Sequence, residues 1–156
     1  MDDINIVLTR IDNRLVHGQV GVTWCKTVGA NLVVVADDIA AEDDLQQQLM
    51  EMTAKSSGVD IRFFTVAYCA EIIGNASPDQ KILIICRTPK EVRYLVEKGV
   101  PIKNVNVGNM HFVQGKKKLD KKVYVDDEEE AALKYLVAQG VKVFIQDVPG
   151  DTIINL

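Results

Sequence analysis

Apolar residues are distributed along this chain in short continuous runs, separated by stretches in which they recur every three or four positions. Seven runs read as strands: residues 4–9, 32–36, 61–66, 81–86, 104–107, 122–125 and 141–145. Several are unbroken and rich in Val and Ile, the pattern expected where both faces of a parallel sheet are covered. The intervening stretches read as helices. Residues 20–28 stop at Gly29, a common helix end. Residues 42–56 place Leu45, Leu49, Met50 and Met52 near one side and end before Gly58. Thr88-Pro89 makes a cap and first helical residue for 90–98, which stops at Gly99. Residues 127–139 open with acidic side chains counted from Asp126, suited to the positive end of the helix dipole, and stop at Gly140.

Strand–helix alternation at this spacing predicts one α/β domain over residues 1–156: three layers, α/β/α, with a mostly parallel central sheet of about seven strands built from right-handed crossovers. No low-complexity segment, linker or shift of composition divides it. In such sheets ligands sit beyond the carboxyl ends of the strands. That rule gathers residues 10–17, Asp37-Asp38, Arg87-Thr88 and Gly108-Asn109-Met110-His111 along one edge, so the expected site is composite. Strand order is not readable from the pattern.

Composition narrows the function classes. Charged residues make up 26% and hydrophobic residues 47%, values of an ordinary soluble globular protein. The net charge of -4 argues against a nucleic-acid binder, which would carry a basic footprint. No apolar run is long enough to span a bilayer, and Met1-Asp2-Asp3 lacks the features of a signal peptide, so a cytoplasmic protein is expected. Cys25, Cys69 and Cys86 show no Cys-x-x-Cys pairing, and with two distant histidines they suggest no metal site. They read as reduced core or boundary thiols.

Chemistry concentrates in Arg10-Ile11-Asp12-Asn13-Arg14-Leu15-Val16-His17-Gly18-Gln19-Val20, a polar strand exit leading into a helix start. A neutral imidazole is a nitrogen nucleophile near neutral pH, and phosphoryl transfer is mostly alignment and charge neutralisation. Arg10 and Arg14 each offer a planar fork of donors to phosphoryl oxygens. Gly18 permits close backbone approach, and Gln19, Val20 and Gly21 bring N–H groups at the helix start. Asp12 either orients a histidine or arginine or neutralises Arg10 or Arg14 before phosphate arrives. The competing reading makes His17 a structural histidine paired with Asp12 or a carbonyl, with both arginines in surface ion pairs.

The eleven-residue motif closely resembles the signature of the IIB component of the mannose/fructose/sorbose family of the bacterial phosphotransferase system (PTS). The resemblance extends along the chain through Trp24, Asp37-Asp38, Arg87-Thr88-Pro89 and the segment from Asn104 to Met110. It implies a phosphohistidine–sugar phosphotransferase. His17 would accept a phosphoryl group from a IIA histidine through Nδ1 and pass it to a sugar imported by membrane IIC and IID components. Arg14 takes the place of the family's transition-state arginine, and Arg10 and Asp12 fall in the matched active-site loop. Gly18, Gln19, Asn109 and His111 are expected to bind or support the phosphoryl group. No dissociable cofactor or metal is implied, only a covalent phosphohistidine. The substrate would be of the mannose, fructose, sorbose or amino-sugar class, and the protein would reach the inner face of the membrane only through its partners. Asn109 departs from the Gly found in many members, and Asn-Met-His looks more like members assigned to N-acetylgalactosamine.

Two rival classes remain at this point. One is a non-enzymatic α/β module that binds a sugar phosphate and regulates a partner. The other is a histidine phosphatase, for which only His111, Asp37 or Asp38 would supply a proton. Elsewhere, the lysine-rich run at 116–122 reads as a solvated turn, or as a dock for an acidic partner or an anionic membrane surface. The acidic run from Asp126 to Glu130 reads as helix-start charge bias.

Overall fold

The structure, a computed structural model, describes residues 4–156; the side chains of Gln19, Val20 and Val22 lie outside that description. Among the described residues, nine strands and five α-helices follow in order: β1 Asn5–Asp12, α1 Gly18–Val28, β2 Leu32–Ala36, α2 Asp44–Ser56, β3 Asp60–Phe64, α3 Val66–Ile72, β4 Lys81–Cys86, α4 Pro89–Glu97, β5 Asn104–Asn109, β6 Lys117–Asp120, β7 Val123–Val125, α5 Asp127–Ala138, β8 Lys142–Ile145 and β9 Ile154–Asn155. Seven strands form one sheet in the order β3-β2-β4-β1-β5-β8-β9. All neighbours are parallel except β9, which runs antiparallel to β8. The three-layer architecture expected from the alternation is therefore present.

Two apolar clusters mark the outer layers. Val33, Val35, Leu83 and Ile85 point to one side and meet Trp24, Cys25 and Met50 of α1 and α2. Val34, Ile82, Ile84, Val105 and Val107 point to the other and meet Cys69, Val92, Leu95, Leu133 and Leu136 of α3, α4 and α5. Strand alternation explains the division, since successive side chains of a buried strand serve opposite faces. The neighbouring strands β1 and β4 thus send their helices, α1 and α4, to opposite faces. A crevice opens between such connections at the carboxyl edge of the sheet. The loop at residues 13–17 sits there.

Several elements differ from the pattern-based reading. β1 continues to Asp12 rather than stopping at Thr9, because the polar side chains of Arg10 and Asp12 are buried in partnership with each other. Residues 122–125 do not join the main sheet; β7 pairs with β6 in a separate hairpin, and Met110 bridges to Val123 at its end. The seventh strand of the sheet is β9, too short for a periodic signal. Residues 65–66 are not strand: Thr65 caps α3 by accepting the Tyr68 N–H, and Val66, Cys69, Ala70 and Ile73 bury one face. Helix α2 buries Met50 and Ala54, whereas Leu45, Leu49 and Met52 face outward.

The basic and acidic runs turn out to answer one another. Asp126 and Glu129 form a reciprocal capping box at the start of α5. Lys116 pairs with the buried Glu129 at 2.9 Å, Lys117 with Glu130 at 2.5 Å, and Lys122 with Asp147 at 2.5 Å. The lysine run is therefore partly consumed within the fold and is not simply a solvated turn. All three cysteines are buried and free, as their apolar settings suggested.

Candidate functional site

Arg10 and Asp12 lie two residues apart on β1 and so share one face of the sheet, the face covered by α1. Opposite Arg10 in register on β5 is Asn106, whose Oδ1 accepts from Arg10 Nη1 at 2.5 Å. Arg10 Nη2 donates to Asp12 Oδ2 at 3.0 Å and pairs with Asp147 Oδ1 at 3.5 Å. The guanidinium is 1% exposed, with Trp24 of α1 above it at 5.6 Å from the ring centroid. Its floor is Gly108 of β5, where an added Cβ would overlap the guanidinium carbon and both terminal nitrogens. Burial pulls the Arg10 pKa below its ordinary value, and Asp12 and Asp147 oppose that shift.

Asp12 is the hub. Its carboxylate also accepts from Arg14 Nε and Nη2, both at 3.1 Å, and from the Arg14 backbone N–H at 2.9 Å. The partners of Asp12 are therefore the two arginines, which fits both orienting an arginine and neutralising Arg10 and Arg14. Arg14 is 37% exposed and its pKa is raised, first by the hydrogen bond to Asp12. Asp147, from the end of β8, stands 3.7 Å from Arg14 Nη2, and its backbone carbonyl accepts the Trp24 indole N–H at 3.0 Å. Burial would raise the Asp147 carboxyl, but Lys122 and both arginines hold it below its ordinary value. Three cations, Arg10, Arg14 and Lys122, thus face two carboxylates, leaving unit positive charge for an incoming anion.

The loop that follows is anchored at several points. The Leu15 N–H bonds the Asp12 carbonyl at 2.9 Å, and Leu15 takes a left-handed φ of 58° while burying its side chain. That conformation costs about 1 kcal/mol for a non-glycine residue and is offset by the burial. Asn13 ties three connections together. Its N–H donates to the Asn109 carbonyl at 3.0 Å, its Nδ2 to the Arg87 carbonyl at 2.8 Å, and its Oδ1 accepts the His111 N–H at 2.6 Å. Arg87 forks onto Asp37 at 2.8 and 3.1 Å and donates to the Asn13 carbonyl at 3.3 Å.

His17 ends this loop as the N-cap residue of α1; it is exposed, and its side chain does not cap the helix. Gly18 follows with φ 52°, a conformation that favours glycine. The first N–H groups of a helix lack intrahelical partners and favour negative charge. An exposed imidazole, a half-exposed arginine and a positive helix end therefore share one edge. The Asp12 pairing of the competing histidine reading is absent, since that carboxylate is occupied by guanidinium groups.

The four segments expected at the edge do meet there, but not in one role. Asn109 supplies a backbone carbonyl to Asn13, and the exposed His111 supplies its N–H. Asp37 is locked to Arg87, and Asp38 accepts the Val66 N–H at the start of α3. Gln19 lies in α1, its side chain outside the described residues. Asp147 was not singled out from the sequence, and Asn13, Gly108 and Lys122 entered only as members of longer segments. The carboxyl-end rule applied to β8 would have drawn attention to Asp147.

The pattern of the family described as PTS system sorbose subfamily IIB component matches residues 6–156. The chain belongs to that family. The N-acetylgalactosamine-specific phosphotransferase enzyme IIB component 1 of Escherichia coli (strain K12) is 61% identical over 151 residues, 97% of this chain and 96% of that protein. The crystal structure of the PTS system N-acetylgalactosamine-specific IIB component 1 from Escherichia coli superposes with a TM-score of 0.95 at 60% identity, over 97% of this chain and 99% of that one. The PTS system mannose-specific EIIAB component of Escherichia coli (strain K12) is 34% identical over 151 residues, 96% of this chain but 46% of that protein. This chain is accordingly a IIB component of the sugar phosphotransferase system, in the transferase class. Among the described residues, no helix of this IIB component is long and apolar enough to cross a membrane.

Proposed function

We propose that His17 carries the phosphoryl group between a IIA phosphohistidine and a sugar. The single observation that supports this most is the exposed His17 ring at the start of α1, one loop turn from a half-exposed Arg14. In the first step the Nδ1 lone pair attacks phosphorus as the bond to the donor's nitrogen breaks. In the second, a sugar hydroxyl oxygen attacks phosphorus, the His17–phosphorus bond breaks with its electron pair returning to the ring, and the hydroxyl proton passes to the released imidazole. Arg14 turns from Asp12 onto the phosphoryl oxygens, a two-pronged contact that a point charge does not reproduce. Arg10 stays buried and holds Asp12, while Gly18 and the Gln19 backbone keep the anion close to the helix start. Asn109 and His111 support the loop through Asn13.

The partners are a IIA protein or domain and membrane IIC and IID components, and the protein works at the cytoplasmic face. The substrate is an amino sugar of the N-acetylgalactosamine kind, as the names of the similar proteins suggest. The chemistry calls for no dissociable cofactor and no metal. The test is incubation with phosphoenolpyruvate, the general phosphotransferase proteins and IIA. Wild type should gain an acid-labile, alkali-stable phosphate, and His17→Ala none. Ligand binding without covalent phosphate would instead favour a regulatory sugar-phosphate module, and unaided release of inorganic phosphate a phosphatase.

A further inference from the structure

Helix α2 is apolar on two opposite sides. Met50 and Ala54 pack inward, while Leu45, Leu49 and Met52, spaced i, i+4 and i+7, form an outward stripe that is 69%, 59% and 69% exposed. Ile39, in the connection that leaves β2 at the site's edge of the sheet, is 65% exposed as well. Scattered surface leucines need no explanation, but a contiguous row of large apolar side chains on one helix marks a contact surface. The row begins at the edge that carries His17 and runs down the flank of the molecule.

Charge around the row limits what can cover it. Exposed Asp38, Glu42, Asp43 and Asp44 surround its upper end and Glu51 its middle, with Lys55 the basic side chain of α2. A second copy of this chain would bring the same acidic rim against it, which repels. A bilayer surface of anionic lipid is repelled for the same reason. The cytoplasmic loops of a membrane protein are the opposite case, because they carry an excess of Lys and Arg.

We infer that the Ile39–α2 stripe docks this protein onto the basic cytoplasmic loops of its membrane transporter subunits, placing the His17 edge against the sugar exit. The inference rests on the phosphocarrier reading above. Docking by an apolar row with a complementary charged rim orients one flank while leaving the His17 edge open to the soluble donor.

The experiment separates the two transfers. The triple variant Leu45→Gln/Leu49→Gln/Met52→Gln keeps good helix formers at exposed positions, and its circular dichroism should match wild type. Phosphorylation of His17 by IIA should stay within about twofold of wild type. Sugar phosphorylation by inverted vesicles carrying the membrane subunits should need about tenfold more protein for half-maximal rate. Glu51→Lys with Asp44→Lys should weaken the vesicle reaction in the same direction at low salt. An unchanged vesicle reaction overturns the inference. So does a slowed IIA step, which would give the stripe to the soluble donor, or a wild-type dimer that the triple variant abolishes. A wild type that takes no phosphoryl group from IIA would remove the functional reading itself, whereas normal transfers by both proteins would remove only the docking surface.

Discussion

Gly108→Ala is the sharpest perturbation of the arginine cluster, because a single methyl group would be set where the Arg10 guanidinium lies. β5 cannot easily retreat, since it is hydrogen-bonded to β1 on one side and β8 on the other. The guanidinium must move instead, and it is held by Asn106 at 2.5 Å and Asp12 at 3.0 Å. Overpacking a buried site costs about 1–3 kcal/mol. Each hydrogen bond to a buried charged group contributes about 1.5–3 kcal/mol, so loss or distortion of one brings the total to about 3 kcal/mol or more. At about 2–4 °C per kcal/mol for a domain of this size, the melting temperature should fall by about 6–12 °C. Differential scanning calorimetry reads this directly. A double-mutant cycle isolates the cause: in an Arg10→Ala background, Gly108→Ala should cost close to nothing, because the space is then free. A melting temperature lowered by less than about 2 °C, or equal costs in both backgrounds, would refute the packing argument.

Arg14→Lys should slow His17 phosphorylation by about a hundredfold while changing unfolding free energy by no more than about 1 kcal/mol, since the side chain is half-exposed; stopped-quench labelling and urea titration measure the two. Asn13→Ala removes the bonds to the Arg87 carbonyl and His111 N–H and should cost about 1–3 kcal/mol together with slower phosphorylation; equal rates would show that the loop keeps its shape without them. Burial alone would raise the Asp37 carboxyl, but the Arg87 fork and the Ala40 N–H hold it below its ordinary value. That pair therefore stabilises fully above about pH 4 and is lost as pH falls through the depressed folded value. Wild type should lose stability on acidification more steeply than Asp37→Asn, and parallel acid curves would contradict the assignment. Burial pushes the Cys25 thiol up to about 11 and Cys69 to about 12, and holds Cys86 well above its ordinary value. A disulfide reagent such as DTNB should leave native protein unlabelled and titrate three thiols after unfolding.

The layered α/β architecture was legible because it rests on local signals: apolar runs of β2 and β4 that match the strands residue for residue, and helix stops at Gly29, Gly99 and Gly140. The short α3 and two-residue β9 were not, since seven residues and two residues show no period against their surroundings. The pattern placed Leu45, Leu49, Met50 and Met52 near one side of α2, but only Met50 turns inward, because periodicity reports a shared face without saying which way it points.

By itself, the order of residues determined that a histidine, two arginines and an aspartate follow one another at a strand exit, and with it the family and the chemistry that family performs. Only the folded chain decided how those groups divide their work. Arg10 is taken out of solvent by Trp24, Gly108 and Asn106, Asp12 is drawn onto both guanidinium groups, and Asp147 arrives from the far end of the chain to share them. These contacts join residues up to 137 positions apart, and nothing in local spacing encodes them. Parallel strands make such neighbours only when the whole sheet is assembled, since each adjoining strand is reached through a crossover helix.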